Sequence, residues 1–267
     1  MESNLKIAII QTDLIWENSE QNRQHFSQKI TLISENIDLI VLPEMFTTGF
    51  TMNPEKVAET MDGKTIVWMK KLAKENNTAI TGSLIIKDRQ EGESQDNYYN
   101  RLVFIDPSGK IQTYNKRHTF KLAGEDKVYT AGHKRLIVDY KGWKICPLIC
   151  YDLRFPVWSR NNNDYDVLIY VANWPKPRIA AWNILLRARA IENMSYCLGV
   201  NRIGTDDNAH EYTGNSAAYD ALGEPISTIQ PYENKIEIIS ISKKKLLKTR
   251  QKFQFLEDRD RFTINAE

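Results

Sequence analysis

The feature of this sequence that most restricts its fold is a series of short β-branched apolar runs separated by amphipathic segments. The first two runs, residues 5–11 (LKIAIIQ) and 37–43 (IDLIVLP), are closed by a polar residue or a proline, which is typical of buried strands. Between them, Asn18-Ser19-Glu20 predicts the start of a helix. A second amphipathic helix is predicted over residues 65–76, before a strand-like run at residues 78–86. This β-α-β-α-β order indicates an α/β fold.

The later part of the chain adds strands of both orientations. Residues 102–105 and 111–114 flank Asp106-Pro107-Ser108-Gly109, a turn composition that joins antiparallel strands, so the sheet is predicted to be mixed. Further strands are predicted at residues 135–138, 143–149, 166–172, 195–203, 216–219, 225–229 and 235–241, with a helix over residues 179–193. Because the chain has no Ser/Pro-rich linker, these patterns predict one layered α/β domain over residues 1–267.

Composition and charge narrow the class of partner. The chain has 36 Lys and Arg against 34 Asp and Glu, a net charge of +2, which does not favour binding to nucleic acid or to an anionic membrane. The apolar N-terminal run is far shorter than the ~18 residues of a membrane span. Three cysteines, an odd number, do not make a disulfide framework. We therefore expect a cytoplasmic protein with a small-molecule partner, and we interpret the basic residues 243–252 as a solvated helix face.

Three ionisable residues stand where α/β proteins place catalytic groups. Glu44 directly follows the run IDLIVLP, and open α/β sheets bind ligands at the carboxyl ends of such strands. Cys150 ends the apolar strand WKICPLIC before YDLRFP, and a strand-to-helix turn of this kind exposes a nucleophile. Lys116 follows the hairpin strand IQTY. A thiol needs a base or a nearby positive charge to react, and we expect Glu44 to be the base and Lys116 the charge that lowers the thiol pKa.

Each of these residues taken alone has a structural explanation that is more common than the catalytic one. Cys150 would be a core thiol, Glu44 a helix cap and Lys116 a surface charge; only the combination favours catalysis. Cys146 and Cys150 would share one face of a strand, but no CxxC motif or histidine cluster accompanies them, so we predict no metal site. Cys197, in SYCLGV, is expected in the core.

The segments around the three residues resemble those of the nitrilase, or carbon–nitrogen hydrolase, superfamily. The matching segments are VLPEMFTTGF around Glu44, YNKRHTF around Lys116 and LICYDLRFPVWSR around Cys150, in the order found in that superfamily. The resemblance implies a Glu-Lys-Cys triad on a four-layer αββα sandwich with mixed sheets. The segments ANWPKPRIAAW, LLRARAIENMSYCLGVNRIG, YTGNSAAYDALGE and FQFLEDRDRF resemble the omega-amidase branch, of the 2-oxoglutaramate amidase type.

This resemblance implies a role for each residue. Cys150 would be the nucleophile, Glu44 the general base, and Lys116 the cation that stabilises the tetrahedral oxyanion together with the backbone N–H of Tyr151. Glu125, in KLAGEDKVY, matches the second glutamate that positions the substrate amide in many members. The reaction would release ammonia, form a thioester and hydrolyse it, with no metal or organic cofactor. A homodimer is also implied, with the helices after the Cys150 turn at its interface.

The substrate implied by the resemblance is a small omega-amido 2-oxo acid, such as 2-oxoglutaramate or 2-oxosuccinamate, cleaved to the dicarboxylate and ammonia. We expect the planar guanidinium of Arg154, four residues beyond Cys150, to bind the free carboxylate, although a structural ion pair is an equally good explanation. Arg178 and Arg202 are the alternatives. The aromatic side chains expected to line the pocket, or simply to pack, are Tyr151, Trp174 and Trp182.

Two other functions are compatible with the same triad. Another amidase of the superfamily would act on N-carbamoyl amino acids, deaminated glutathione or simple aliphatic amides, and only pocket residues separate these substrates. A non-catalytic scaffold is the alternative from a different class. A protein without activity has no chemical reason to keep Glu44, Lys116 and Cys150 together, which argues against the scaffold.

Overall fold

Strands and helices alternate along residues 4–89 and 96–264, the part of the chain that a computed structural model describes. The strands are β1 (Asn4–Gln11), β2 (Leu39–Val41), β3 (Ala79–Asp88), β4 (Asn97–Ile105), β5 (Ile111–Asn115), β6 (Val138–Tyr140), β7 (Trp143–Ile149), β8 (Val167–Ala172), β9 (Tyr196–Asn201), β10 (Ile203–Thr205), β11 (Glu211–Thr213), β12 (Ala217–Tyr219) and β13 (Lys235–Ser242). The α-helices are α1 (Ser19–Thr31), α2 (Pro54–Val57), α3 (Lys64–Glu75), α4 (Glu125–Val128), α5 (Pro156–Ser159), α6 (Ile179–Asn193) and α7 (Lys243–Phe253). Short 3₁₀ helices lie at Lys121–Ala123, Cys150–Arg154 and Lys176–Arg178.

Two mixed sheets organise these strands. The larger sheet has the order β13-β1-β2-β3-β4-β5, in which β1, β2 and β3 are parallel and the remaining pairings are antiparallel. The smaller sheet has the order β12-β9-β8-β7-β6, with β7, β8 and β9 parallel. β10 and β11 form a separate antiparallel pair. The predicted mixed α/β architecture is confirmed, including the hairpin between β4 and β5.

The alternation of side chains in β1 shows how the layers pack. Leu5, Ile7 and Ile9 belong to the core cluster that contains the smaller sheet. Ala8 and Ile10 belong to a second cluster, formed with α1 and α3. Because successive side chains of a strand point to opposite faces, the larger sheet lies between the smaller sheet and a helical layer.

The helix α6 covers the outer face of the smaller sheet. A Cβ atom at Gly199 of β9 would lie 2.4 Å from Leu186 Cδ1 and 2.6 Å from Trp182 Cζ2, so the helix packs directly against this strand. Trp182 is fully buried there and donates to the carbonyl of Asn215 (2.8 Å), which makes it a packing residue. The layers therefore follow the order helices, sheet, sheet, helix, which is the four-layer αββα sandwich that the resemblance implies.

Two predicted strands differ from the observed ones at their boundaries. The strand predicted at residues 135–138 begins only at Val138, in β6; before it, the Arg135 guanidinium donates to the carbonyls of Trp158 (2.8 Å) and Arg160 (2.7 Å). The strand predicted at residues 195–203 is interrupted at Arg202. Its N–H donates to the side-chain oxygen of Asn201 (3.0 Å), so a local side-chain bond replaces pairing with a neighbouring strand.

Two further predictions concern the C-terminal part. Residues 225–229 do not form the predicted strand, since the N–H of Thr228 donates to the Glu237 carboxylate (2.7 Å). Residues 243–252 form the predicted helix, α7, but Lys243 pairs with Asp166 and Leu246 is buried, so its surface is only partly solvated. Among the described residues, every helix is too short or too polar to cross a membrane.

Candidate active site

Cys150 lies where β7 turns into a 3₁₀ helix. The chain leaves this largely buried strand with Cys150 in the left-handed region, at φ +43°. A residue other than glycine stores strain of about 1–3 kcal/mol in this region, and such residues cluster at functional sites. The turn places Cys150 in the lining of a cavity, whereas Cys146, inside β7, is fully buried. The expectation that the two cysteines share a strand face is therefore wrong.

Glu44 emerges just beyond the carboxyl end of β2. The next residue, Met45, has φ +42°, so the chain turns sharply and keeps the Glu44 side chain in the interior. The Glu44 carboxylate accepts hydrogen bonds at Oε1 from Asn100 Nδ2 (2.8 Å) and Lys116 Nζ (2.9 Å). Its Oε2 accepts from the backbone N–H of Asn173 (2.8 Å). Because Asn173 follows β8, this last contact joins the two sheets.

Lys116 follows β5 and is held between two carboxylates. Its Nζ lies 2.9 Å from Glu44 Oε1, 2.9 Å from Glu125 Oε2 and 3.0 Å from Glu125 Oε1. Only 1% of the Lys116 side chain is exposed, and both glutamates are fully buried. Since two antiparallel pairings separate β5 from β3, β5 runs parallel to β2 and both end at the same edge of the sheet. Glu125 opens α4 and also accepts from the N–H of Phe120 (2.5 Å).

Burial and charge set the protonation states of this cluster. Burial disfavours the ammonium, but the Glu125 and Glu44 carboxylates outweigh it and raise the pKa of Lys116. Burial raises the pKa of Glu125, with Lys116 opposing the shift and Glu44 adding to it. Burial and the Glu44 carboxylate raise the pKa of Cys150 well above its ordinary value, and Lys116 offsets them only in part. Lys116 lowers the thiol pKa as predicted, but burial and the Glu44 carboxylate outweigh it, so the net shift of the thiol pKa is upward.

A cavity of about 540 Å³ opens beside the thiol. Cys150, Lys116 and Asn173 lie among its lining residues. Much of the wall is aromatic and consists of Trp16, Phe50, Phe120, Tyr151, Trp174 and Tyr212. Tyr151 and Trp174 thus line the cavity, whereas Trp182 does not. The chain segment that carries Leu122, 81% exposed, and the hairpin that carries Asn208 and His210 complete the wall.

Two of the three candidate arginines line this cavity. The guanidinium of Arg154 lies 5.1 Å from the ring centre of Trp174, and that of Arg178 lies 5.0 Å from the ring centre of Phe120. Neither arginine forms an ion pair within residues 4–89 and 96–264. Two guanidinium groups therefore face the cavity without a carboxylate partner from the described chain.

Arg202, the third candidate, occupies a different place. Its side chain is fully buried, pairs with Asp13 and lies 4.7 Å from the ring centre of Tyr212. It also donates to the carbonyls of Ile203 (3.0 Å) and Leu14 (3.2 Å), and it is not among the cavity-lining residues. The expectation that Arg202 binds substrate is corrected accordingly: these contacts make it a structural residue behind the cavity wall.

Two asparagines that contact Glu44 are missed by the sequence analysis. Asn100 Nδ2 also lies 3.2 Å from Glu125 Oε1, and Asn173 Nδ2 donates to the carbonyl of Glu44 (2.6 Å). Asn173 directly follows β8, so the strand-end rule that identifies Glu44 would have found it. Asn100 lies inside β4, where a single polar residue in a strand carries no clear functional signal.

Comparison with known proteins agrees with this fold and geometry. A carbon-nitrogen hydrolase family model matches residues 6–251. Omega-amidase YafV of Yersinia enterocolitica is 42% identical over 262 residues, which cover 98% of this chain and 99% of that protein. A 2-oxoglutaramate amidase of Bacillus subtilis is 32% identical over 226 residues, covering 83% of this chain and 85% of the relative.

A solved structure is similar over the same length. XC1258 from Xanthomonas campestris, described as a CN-hydrolase superfamily protein with an arsenic adduct in the active site, superimposes with a TM-score of 0.93 at 39% identity. The match covers 98% of this chain and 100% of that chain. The chain therefore belongs to the carbon–nitrogen hydrolase, or nitrilase, superfamily, and it is an amidase.

Proposed function

We propose that this amidase removes the terminal amide of a small omega-amido 2-oxo acid, such as 2-oxoglutaramate or 2-oxosuccinamate, and releases ammonia and the dicarboxylate. The observation that carries the proposal is one cavity in which Cys150 and Lys116 meet two arginines, Arg154 and Arg178, that have no carboxylate partner among the described residues. The names of the two sequence relatives, an omega-amidase and a 2-oxoglutaramate amidase, support the same reaction.

Cys150 is the nucleophile in this proposal, and its proton moves to Glu44 as the sulfur attacks the amide carbon. The Glu44 carboxylate lies close enough to the thiol to raise its pKa, so a proton acceptor is already beside the sulfur. Because the pKa of the thiol is raised, little thiolate is present in advance, and base and nucleophile act in the same step. Lys116 and Asn100 already hold Glu44 Oε1, which fixes the orientation of the base.

Lys116 and the backbone N–H of Tyr151 stabilise the oxyanion of the tetrahedral intermediate. Tyr151 is the second residue of a 3₁₀ helix, and N–H groups of a first helical turn have no acceptor within the helix. Glu44 then gives its proton to the amide nitrogen, so that ammonia leaves and a thioester with Cys150 remains. Water deprotonated by Glu44 hydrolyses the thioester and restores the thiol. Glu125, beside Lys116, accepts a hydrogen bond from the substrate NH₂.

Arg154 and Arg178 bind the free carboxylate at the other end of the substrate. Their guanidinium groups lie over Trp174 and Phe120, and this stacking restricts their orientations. A guanidinium offers two parallel N–H donors to a carboxylate, so a cavity with two such groups favours an acid over a neutral amide. Arg154 is the leading residue, because it belongs to the same 3₁₀ helix as Cys150.

The competing functions differ from this proposal in the group that Arg154 and Arg178 would bind in the cavity. A scaffold function does not explain the buried cluster of Glu44, Lys116 and Glu125. Burying charged groups lowers the stability of the fold, and a scaffold gains nothing in return. A simple aliphatic amide leaves both guanidinium groups without a partner. N-Carbamoyl amino acids and deaminated glutathione also carry carboxylates, so they are the alternatives to be compared in an assay.

We also propose that residues 1–267 act as one hydrolase domain, in the cytoplasm and as a homodimer. Apolar side chains are exposed on the helices after the Cys150 turn: Val157 of α5 is 55% exposed, and Ile184 and Ile191 of α6 are 68% and 47% exposed. Ile184 and Ile191 are seven residues apart and so lie on one face of α6, and exposed apolar patches mark interfaces. All three cysteines are unpaired, which suits a reducing compartment.

Measurement of ammonia release tests the substrate assignment. We expect turnover of 2-oxoglutaramate and 2-oxosuccinamate with higher kcat/KM than that of glutamine, an N-carbamoyl amino acid, deaminated glutathione, an aliphatic amide or a nitrile, because only the first two combine a short chain, a 2-oxo group and a carboxylate. A coupled dehydrogenase assay for ammonia gives the rates, except for deaminated glutathione, whose hydrolysis releases cysteinylglycine and is followed by quantifying that dipeptide. Preference for any other member of this panel would replace the proposed substrate.

Variants of the triad are the controls for this assay. Cys150→Ala is expected to abolish turnover while keeping the fold, because a small sulfur is lost together with the nucleophile. Glu44→Gln and Lys116→Met are expected to lower kcat by about 10²–10⁴-fold, since both residues act in the transition state. Turnover by Cys150→Ala would refute the mechanism, and near-wild-type kcat in either other variant would exclude that residue.

The raised thiol pKa predicts the pH dependence of Cys150 modification. Because thiolate forms only as the pH approaches the raised pKa, the rate of reaction with methyl methanethiosulfonate is expected to rise steadily through pH 9, above the ordinary thiol pKa of about 8.5. Intact mass should show one adduct, since Cys146 and Cys197 are fully buried and burial raises the pKa of Cys146 to about 12. Cys150→Ala should remain unmodified. A rate that is constant between pH 6 and 8 would indicate a preformed thiolate instead.

Substitution of the two arginines tests carboxylate binding. Arg154→Lys and Arg178→Lys are each expected to raise KM for 2-oxoglutaramate roughly ten- to a hundredfold, the loss of a charge-assisted contact of ~1.5–3 kcal/mol. The KM for the carboxylate ester should be high in the wild type and change little in the variants. Arg187→Lys is the matched control, because Arg187 is half exposed on α6 and outside the cavity lining. Equal KM values for acid and ester in the wild type would end this assignment.

The proposed dimer has a simple physical test. Light scattering of the purified chain is expected to give twice the 31.0 kDa protomer mass, because the exposed apolar face on α5 and α6 needs a cover. Ile184→Lys should shift the mass toward the protomer. Leu32→Lys is the matched control and should leave the mass unchanged. Leu32 is also apolar and 75% exposed, but it lies at the end of α1, in the other helical layer. A mass of one protomer in the wild type would contradict the proposal.

A further inference from the structure

A fully buried carboxylate, that of Asp152, lies two residues after Cys150 and outside the cavity lining. Its Oδ2 accepts hydrogen bonds from the Tyr114 hydroxyl (2.7 Å) and the backbone N–H of Ile149 (3.0 Å). Its Oδ1 accepts from the backbone N–H (3.1 Å) and from Nδ1 (2.8 Å) of His118. The proposed reaction uses none of these groups, yet four donors converge on this one side chain.

The donors belong to the two chain segments that carry the nucleophile and the cation. Ile149 immediately precedes Cys150, at the end of a strand of the smaller sheet. Tyr114 and His118 stand two residues on either side of Lys116, at the end of a strand of the larger sheet. The carboxylate is therefore a direct bridge between two segments that come from different sheets.

The partners of this carboxylate are themselves held in place. The buried hydroxyl of Tyr114 accepts from the N–H of Arg117 (3.1 Å) and from Nε1 of Trp158 (3.0 Å). The His118 ring stacks on the Phe155 ring, with 3.7 Å between centres and an angle of 4°. Since these groups have little freedom to follow a displaced side chain, a change at the carboxylate alters the spacing of the two segments.

Asp152 also closes the strained turn at the nucleophile. Its bond to the Ile149 N–H spans Cys150, which has φ +43°, and strain of this kind persists only where neighbouring contacts hold it. Each carboxylate oxygen faces one main-chain N–H, from Ile149 or from His118, and a main-chain N–H cannot become an acceptor. An asparagine in either orientation would place its NH₂ against one of these donors, so only a carboxylate fits here.

We infer that Asp152 is a positioning residue that sets the separation between the Cys150 thiol and the Lys116 ammonium. The oxyanion forms on the carbon attacked by Cys150 and is stabilised by Lys116, so this separation acts in the transition state more than in substrate binding. The inference rests on the proposed function of these two residues. It requires a loss of kcat without a comparable change in KM.

Asp152→Asn in the full-length enzyme tests this role. The kcat for 2-oxoglutaramate, expressed per folded protein as quantified by the amplitude of the thermal unfolding transition, is expected to fall about ten- to a hundredfold, with KM within about threefold of wild type. The matched control is Asp166→Asn. Asp166 is also buried and accepts a main-chain N–H, from Lys144 (2.9 Å), but its ion pairs are with α7, away from the cavity. This control should lower the thermal midpoint and leave kcat unchanged.

The kinetics of these variants separate a positioning role of Asp152 from a purely structural one. Wild-type kcat in Asp152→Asn, or an equal loss of kcat in Asp166→Asn, overturns it. If Asp152→Asn does not fold, Tyr114→Phe decides: it removes one donor to the same carboxylate and is expected to lower kcat about three- to tenfold, so an unchanged kcat overturns the inference. An inactive wild type, or turnover by Cys150→Ala, refutes the proposed function instead, so the two failures are distinguishable.

Discussion

The buried contact of Lys116 with Glu44 and Glu125 is the interaction on which the rest of the site depends. Burying an unpaired ion costs several kcal/mol, and removing one partner from a buried pair costs about 3–5 kcal/mol. Here each carboxylate lies 2.9 Å from the ammonium, and Asn100 donates to both. Glu44 and Lys116 are far apart in sequence, and they meet because β2 and β5 end at the same edge of the larger sheet. The strand order therefore brings together the proposed base and its cation.

The smaller sheet contributes Cys150, the proposed nucleophile, so the proposed reaction requires the two sheets to keep a fixed relation. Asn173 helps to fix this relation through two hydrogen bonds to Glu44. Its backbone N–H donates to the Glu44 carboxylate, and its Nδ2 donates to the Glu44 carbonyl. The two sheets also share one apolar core. The chain turns sharply just beyond β2 and at the end of β7, with φ +42° at Met45 and φ +43° at Cys150. The first turn keeps Glu44 in the interior and the second places Cys150 beside the cavity, and only the packed fold maintains such conformations.

The sequence predicts those parts of the site that depend on local pattern. Glu44 and Cys150 follow apolar strands, and that position alone indicates an edge where ligands bind. The direction of the thiol pKa shift could not be predicted in this way, since it depends on how many carboxylates lie near the sulfur in space. Arg202 and Asn100 show the same limit. Arg202 is expected from the sequence to bind substrate, but it is buried against Asp13. Asn100, a polar residue inside a strand, carries no functional signal, yet it donates to Glu44, the proposed base.

The electrostatics of the cluster fit the proposed role of Cys150, a thiol with a raised pKa, as the nucleophile. A free thiolate would add a second uncompensated negative charge beside Glu44 and Glu125, which burial makes costly. In the proposed mechanism the proton moves to Glu44 during attack, so that carboxylate becomes neutral and the negative charge appears on the substrate oxygen. The total charge of the buried cluster does not change, and Lys116 exchanges one anionic partner for another. Because the ammonium is already desolvated and held in position, the oxyanion gains its stabilisation without reorganisation of the site.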